Sequence, residues 1–106
     1  MAQFDVHKNP GSTREGIPFV VVIQSRIFDG YRRRVVVPLV KKSLFGQVTH
    51  ARFNPSFVIR RTHVVLHPLE IVSVPTSALG KPIGSLAAEG ARIIEAIDAL
   101  LTRAYD

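Results

Sequence analysis

Two runs of β-branched residues constrain this chain more than anything else in it. Val20-Val21-Val22-Ile23 and Val35-Val36-Val37 flank a polar stretch that contains Asp29-Gly30. β-branched side chains suit a pleated, half-buried surface, and Asp-Gly supplies the positive φ that tight turns use. The segment from Val20 to Leu39 therefore predicts a β-hairpin, or a near-hairpin with a longer connection. Val20 to Ile23 is apolar at every position, so this strand is buried on both faces or meets a second copy of the chain. The segment has no paired acids, thiol or metal cluster, and carries no catalytic chemistry of its own.

The other elements arrange themselves around it. Residues 2–7 alternate, with Phe4 and Val6 on one face, and read as a strand. Residues 8–16 form a loop rich in Gly, Pro, Ser and charge. Residues 19–24 and 33–40 are the two strong strands. Residues 41–51 are mixed: Leu44, Phe45 and Val48 have a short helical spacing, which Gly46 opposes. Residues 57–59 and 62–66 flank Arg60-Arg61 and predict a second hairpin whose turn type the sequence leaves open. Residues 71–74 are a last short strand, after which Pro75 and Pro82 break regular structure.

Residues 85–103 predict a helix. Ser85 caps its first N–H groups, and Glu89 suits the positive end of its dipole. Leu86, Ile93, Ile97, Leu100 and Ala104 mark an apolar stripe, widened by Ile94 and Leu101. A stripe this wide serves both an intramolecular core and a partner. Gly90 costs about 1 kcal/mol relative to Ala inside a helix, which suits a close approach of another group there. Several short strands and one helix predict a mainly β fold: a small barrel of antiparallel strands with one C-terminal α-helix.

A chain of 106 residues fits a single domain spanning residues 1–106, and a hydrophobic fraction of 46% argues against disorder. No apolar run approaches the ~20 residues of a membrane span. Asp5 and His7 interrupt the only stretch resembling the core of a signal peptide. These features predict a soluble cytoplasmic protein without a membrane partner. The absence of cysteine excludes disulfides and thiol chemistry. No cofactor is predicted. The net charge of +6 favours an acidic partner, whether nucleic acid or an acidic protein segment.

Four groups of residues are candidates for function. His63 and His67 are four apart and would share a strand face, but no carboxylate or cysteine lies at a spacing that completes a metal site. Arg32-Arg33-Arg34 and Arg60-Arg61 suit phosphate contact. A solvated hairpin edge explains them as well, and is favoured because Tyr31 is the only nearby aromatic for base stacking. Ser12, Thr13, Arg14 and Glu15 form a polar loop with no base positioned to activate a hydroxyl. Ile27-Phe28, beside the Asp-Gly pair, is either a core plug or an exposed contact.

Taken together, the segments resemble the CcdB family of bacterial toxins. Gln24-Ser25 after an apolar strand, then Arg34-Val35-Val36-Val37-Pro38-Leu39, looks like that family's central pair of strands. Ala2-Gln3-Phe4-Asp5-Val6 with Asn9-Pro10 resembles its first strand, and Asn54-Pro55 the start of its middle strands. Val72-Ser73-Val74-Pro75, Leu79-Gly80 and Pro82 resemble the approach to its last helix, and Ile93-Ile94-Glu95-Ala96-Ile97-Asp98 the body of that helix.

The resemblance implies an SH3-like barrel assembled as a homodimer and acting without catalysis. It implies the toxin of a type II toxin–antitoxin pair serving plasmid maintenance. Such a toxin inhibits DNA gyrase by binding the gyrase A subunit and trapping the cleaved-DNA complex, and a CcdA-like antitoxin neutralises it. Ile27, Phe28, Asp98 and Leu101 stand at gyrase-contact positions of the family. The sequence departs from the family at its end. Thr102-Arg103-Ala104 replaces an aromatic-or-small, Gly and Ile tail, and Tyr105-Asp106 extends the chain. Thr102 is compatible with contact, and Tyr105 is the candidate replacement for a terminal aromatic. Val22 also departs, standing where the family often has an acidic residue. Two alternatives remain: a MazF-like endoribonuclease toxin on the same barrel, using its arginines on RNA, or a CcdB-fold protein that no longer acts on gyrase. Sequence-specific nucleic-acid binding is not expected.

Overall fold

A computed structural model describes residues 2–11 and 15–102. Its strands are β1 (Asp5–Lys8), β2 (Phe19–Val22), β3 (Arg33–Lys41), β4 (Ser56–Ile59), β5 (Thr62–Leu66), β6 (Val72–Pro75) and β7 (Gly84–Ser85). A one-turn helix α1 (Lys42–Phe45) follows β3, and helix α2 (Gly90–Thr102) follows β7. The strands form one antiparallel sheet of order β4-β5-β3-β2-β1-β7, with β6 added on β3. The sheet curls into a nearly closed barrel capped by the C-terminal helix, as the sequence predicts.

Strand β3 organises the barrel. Along one edge it pairs with β2, Val36 to Leu39 against Val22 to Phe19. Its first part also pairs with β6, Arg33 to Val36 against Pro75 to Val72, and its last part with β5, Leu39 to Lys41 against Leu66 to Val64. A single strand serving three partners must pass from one part of the sheet to another, which bends the sheet toward closure.

The fully apolar β2 is explained within one chain. Its alternating side chains enter two different clusters. Phe19 and Val21 join the main core with Val6, Val37, Leu39, Val64, Leu66, Ile93 and Ala96. Val20 and Val22 point the other way, into a smaller cluster with Val36, Leu79 and Val74. The burial on both faces is therefore intramolecular. Val22, at the position where an acid is common in the family, is sealed here by apolar neighbours.

The second hairpin has a two-residue turn, with Ile59 paired to Thr62 around Arg60 and Arg61. Both arginines have positive φ, 48° and 65°. Positive φ at both turn residues matches the right-handed twist of the flanking strands, but Asn-Gly is the usual solution. An L-residue held in this region costs about 1–2 kcal/mol.

Three local expectations are corrected. The first strand begins at Asp5, not at residue 2, because Phe4 takes a positive φ of 70° and a turn joins Asp5 N–H to Ala2 O. Asp29-Gly30 does form a β-turn, closed by Tyr31 N–H to Phe28 O at 3.1 Å, but without the expected positive φ at Gly30 and inside a longer connection that begins with a 3₁₀ turn at Arg26–Phe28. Ser85 lies in β7 and not at the start of the helix; its Oγ accepts from Ala87 N–H and starts a 3₁₀ turn, Ala87–Glu89, that leads into α2.

Gly90 opens α2 for a packing reason. A Cβ there would stand 2.6 Å from Phe4 Cε2, so only glycine lets the Phe4 ring lie against the helix. This contact also gives the turned backbone at Phe4 a purpose, since it brings the ring under the helix and onto the main core.

Candidate functional site: an apolar knob and the outer flank of the helix

The connection between β2 and β3 is braced by polar side chains and displays apolar ones. Gln24 spans it: its Nε2 donates to Phe28 O and Arg33 O, and its Oε1 accepts from Val35 N–H at 3.0 Å. Ser25 caps the 3₁₀ turn, its Oγ accepting from Ile27 N–H at 3.4 Å. Arg34 is buried beneath the loop. Its Nη1 donates to Tyr31 O (2.7 Å) and Arg33 O (2.9 Å), and its Nη2 to Asp29 O (2.8 Å), with the Asp29 carboxylate 3.8 Å away. Loop carbonyls that no strand satisfies thus find a planar donor fork.

On this frame stand Ile27, 80% exposed, and Phe28, 47% exposed. Neither is a core plug. The Phe28 ring meets Tyr31 edge to face at 6.1 Å, which steadies it from one side. Beside them lies a shallow depression of about 370 Å³ lined by Gln24, Phe28, Tyr31, Arg33, Val35 and Ser73. An isoleucine left this exposed on a well-braced loop gains nothing for folding. It is the form of a preorganised contact.

Replacing Arg34 by Met is expected to remove the donors to Tyr31 O and Asp29 O and leave those carbonyls to water or to nothing, while Arg33 O keeps Gln24 Nε2. The expected loss is about 2–3 kcal/mol of stability. In amide exchange, residues 25–32 should lose protection before β3 does. Arg34→Lys should rescue little, because an ammonium cannot reproduce the planar fork. Denaturant melts and exchange on the two variants check this; equal protection of the loop in both and in wild type would contradict the bracing role.

Helix α2 buries Gly90, Ile93 and Ala96, with Ile97 partly buried against the main core. Ile94, Asp98 and Leu101 fall at positions i, i+4 and i+7 and share a flank turned away from that core. Ile94 is 42% and Leu101 68% exposed. Thr102 is exposed, and its Oγ1 donates to Asp98 O. Ile94 and Leu101, which widen the stripe in the sequence, thus form its outer part, while Ile93 and Ala96 form its core part. Tyr105 lies outside the described residues, as do Arg103, Ala104 and the Ser12, Thr13 and Arg14 part of the polar loop.

The site residues thus form two groups. Ile27 and Phe28 are adjacent on one turn; Asp98, Leu101 and Thr102 lie together at the end of α2. Among the described residues no hydrogen bond or ion pair links the groups. Of the arginines, Arg33 and Arg34 are both engaged by the chain itself, Arg33 through Ser73 Oγ and Ser73 O. Neither is a free guanidinium poised for RNA cleavage. His63 is exposed on β5, whereas His67 lies past the strand with its ring 5.4 Å from that of Phe45. Among the described residues no group of three His, Cys, Asp or Glu converges as a metal site. No helix among them is long and apolar enough to cross a membrane. Sequence reasoning missed Arg34 as the loop's support, since a run of three arginines reads as surface. The signal available was its position one residue before the apolar run Val35-Val36-Val37, in phase with the buried Val36.

A model of the CcdB protein family matches residues 3–102. The chain belongs to the CcdB family. The match spans both groups of site residues and the whole barrel. CcdB is a family of toxins of toxin–antitoxin systems, and not a family of catalytic enzymes. No curated protein matches the chain. The likeness that the motifs suggest in the sequence is thus a family membership.

Proposed function

We propose that this CcdB-family chain is a toxin that inhibits DNA gyrase by binding the gyrase A subunit and trapping the cleaved-DNA complex. The observation that carries the reading is the Ile27–Phe28 knob, two large apolar side chains raised into solvent on a loop tied down by Gln24, Ser25 and Arg34. Rigid apolar anchors gain affinity because little conformational freedom is lost when they dock. Asp98, Leu101 and Thr102 provide the second contact, together with Tyr105 at the chain's end.

The toxin works as a homodimer, which presents two copies of each group to a partner that is itself a dimer. The apolar outer flank of α2 supports this reading. The doubly apolar strand does not, because the chain covers both its faces. A CcdA-like antitoxin with an acidic, disordered segment neutralises the toxin by folding over the exposed apolar groups, and the net charge of +6 suits it. The protein acts in the cytoplasm, where gyrase meets DNA.

Purified protein added to gyrase, ATP and plasmid DNA is expected to accumulate linear DNA after detergent and protease treatment. Unaltered supercoiling and no linear product, at protein in large excess over gyrase, would remove gyrase from the reading and leave the toxin family.

A further inference from the structure

We propose that the Arg60–Arg61 turn is a phosphate-binding tip that grips the backbone of duplex DNA. The proposal is independent of gyrase binding and rests on the second hairpin alone.

The turn is an unusual place for two arginines. Both are exposed and both are held at positive φ, 48° and 65°. A two-residue turn of this hand is most readily made by Asn-Gly or Asp-Gly, which adopt positive φ with little strain. Strain of this kind persists at sites that use it. Protection of a sheet edge does not account for it. Charges guard an edge from strand positions, where no backbone strain is needed. The β4 edge already has its guard: Arg92 donates to Ser56 O while its guanidinium lies 4.7 Å over the Phe57 ring. Nor do the two arginines serve the fold. Among the described residues neither makes a hydrogen bond or an ion pair, in contrast to Arg33, Arg34 and Arg92.

The chemistry of the ligand follows from what surrounds the pair. Two guanidinium forks on a projecting tip suit phosphate oxygens, which accept bidentate hydrogen bonds. The hairpin offers no free aromatic face for a splayed base: Phe57 is buried and covered by Arg92. That disfavours single strands, whose binding depends on stacking. A folded acidic segment would want an apolar pocket with free cations, whereas the depression of about 270 Å³ beside the hairpin, lined by Val58, His63 and Leu86, carries the Glu89 carboxylate, already paired with Arg92 at 3.0 Å. An exposed turn with two unengaged guanidinium groups fits the regular phosphates of a duplex, without reading sequence.

The test exploits the strain. Replacing Arg60→Asn together with Arg61→Gly installs the preferred turn, so the melting temperature should rise. Binding to a short mixed-sequence DNA duplex, followed by fluorescence anisotropy across a potassium chloride series, should weaken about tenfold at low salt. The slope of log affinity against log salt should fall by about 2, the loss of two phosphate contacts. A second double variant, Lys42→Gln with Lys81→Gln, removes the same charge from exposed positions elsewhere and should keep most of the affinity. The proposal is overturned if wild type does not bind the duplex at low salt, if the hairpin variant binds as well as wild type, or if both double variants lose affinity equally, which would leave net charge alone. It is also overturned if the hairpin variant melts lower than wild type. Preferential loss of binding to a polyglutamate peptide, with duplex binding unchanged, would assign the tip to an acidic protein instead.

Discussion

Ile93→Asp is expected to leave the chain without a cooperative fold at room temperature. Ile93 is fully buried in the main core, where α2 closes the barrel over Val6, Val21, Val37, Leu39 and Leu66. The substitution removes a buried aliphatic side chain, a loss of about 2–5 kcal/mol when it is cut back to a methyl group. It then places a carboxylate among apolar side chains with no cation to meet it, at a further cost of several kcal/mol. The sum is comparable to the whole stability of a small domain, about 5–15 kcal/mol. Far-ultraviolet circular dichroism and a thermal melt check it: the expected trace has no cooperative transition. Ile97→Asp should be milder, because Ile97 is only partly buried. A melting temperature for Ile93→Asp within a few degrees of wild type would mean that α2 does not seal the barrel.

Ile27→Asp is expected to do the opposite, leaving the fold intact and abolishing toxicity. At 80% exposed, Ile27 contributes little to the core, so stability should change by no more than about 0.5 kcal/mol. At an interface centre, losing an anchor costs about 2 kcal/mol or more, roughly a thirtyfold drop in affinity, and a carboxylate pressed into an apolar partner surface adds to that. Growth after induced expression, with soluble protein quantified alongside, gives the readout. Wild type should arrest growth and the variant should not, at equal soluble levels. Arrest by both would place the toxic contact elsewhere on the molecule.

What the sequence made legible follows from periodicity. The pair β2 and β3, the hairpin around Arg60-Arg61 and helix α2 are long or strongly patterned, and each stands close to where its residues imply. What was hidden depends on groups far apart in the chain. Nothing local announces that Phe4 turns to positive φ so that its ring can lie against Gly90, although glycine inside the helix marked a close approach. Asp29-Gly30 carries the signal of a tight turn and forms one, but the longer loop around it is braced by Arg34 and Gln24, whose hydrogen bonds to its carbonyls nothing local announces. The exposure of Ile27 and Phe28 was open in the sequence, because an apolar pair beside a turn packs inward or outward according to tertiary context. Ile94 and Leu101 widen the helix stripe in the sequence, but which part of that stripe faces the barrel depends on tertiary packing. The four-apart histidines divide because His67 lies beyond the end of β5.

In the function proposed for this chain, the Ile27–Phe28 knob and the end of α2 both contact gyrase. The most direct measurement is a calorimetric titration of wild type, Ile27→Asp and Leu101→Asp into a purified gyrase A fragment, each variant first shown to melt like wild type. The account predicts saturable binding by wild type, at one toxin dimer per fragment dimer, and a loss of thirtyfold or more in each variant. Wild-type binding that survives both substitutions unchanged, or no heat of binding from any of the three, would contradict it.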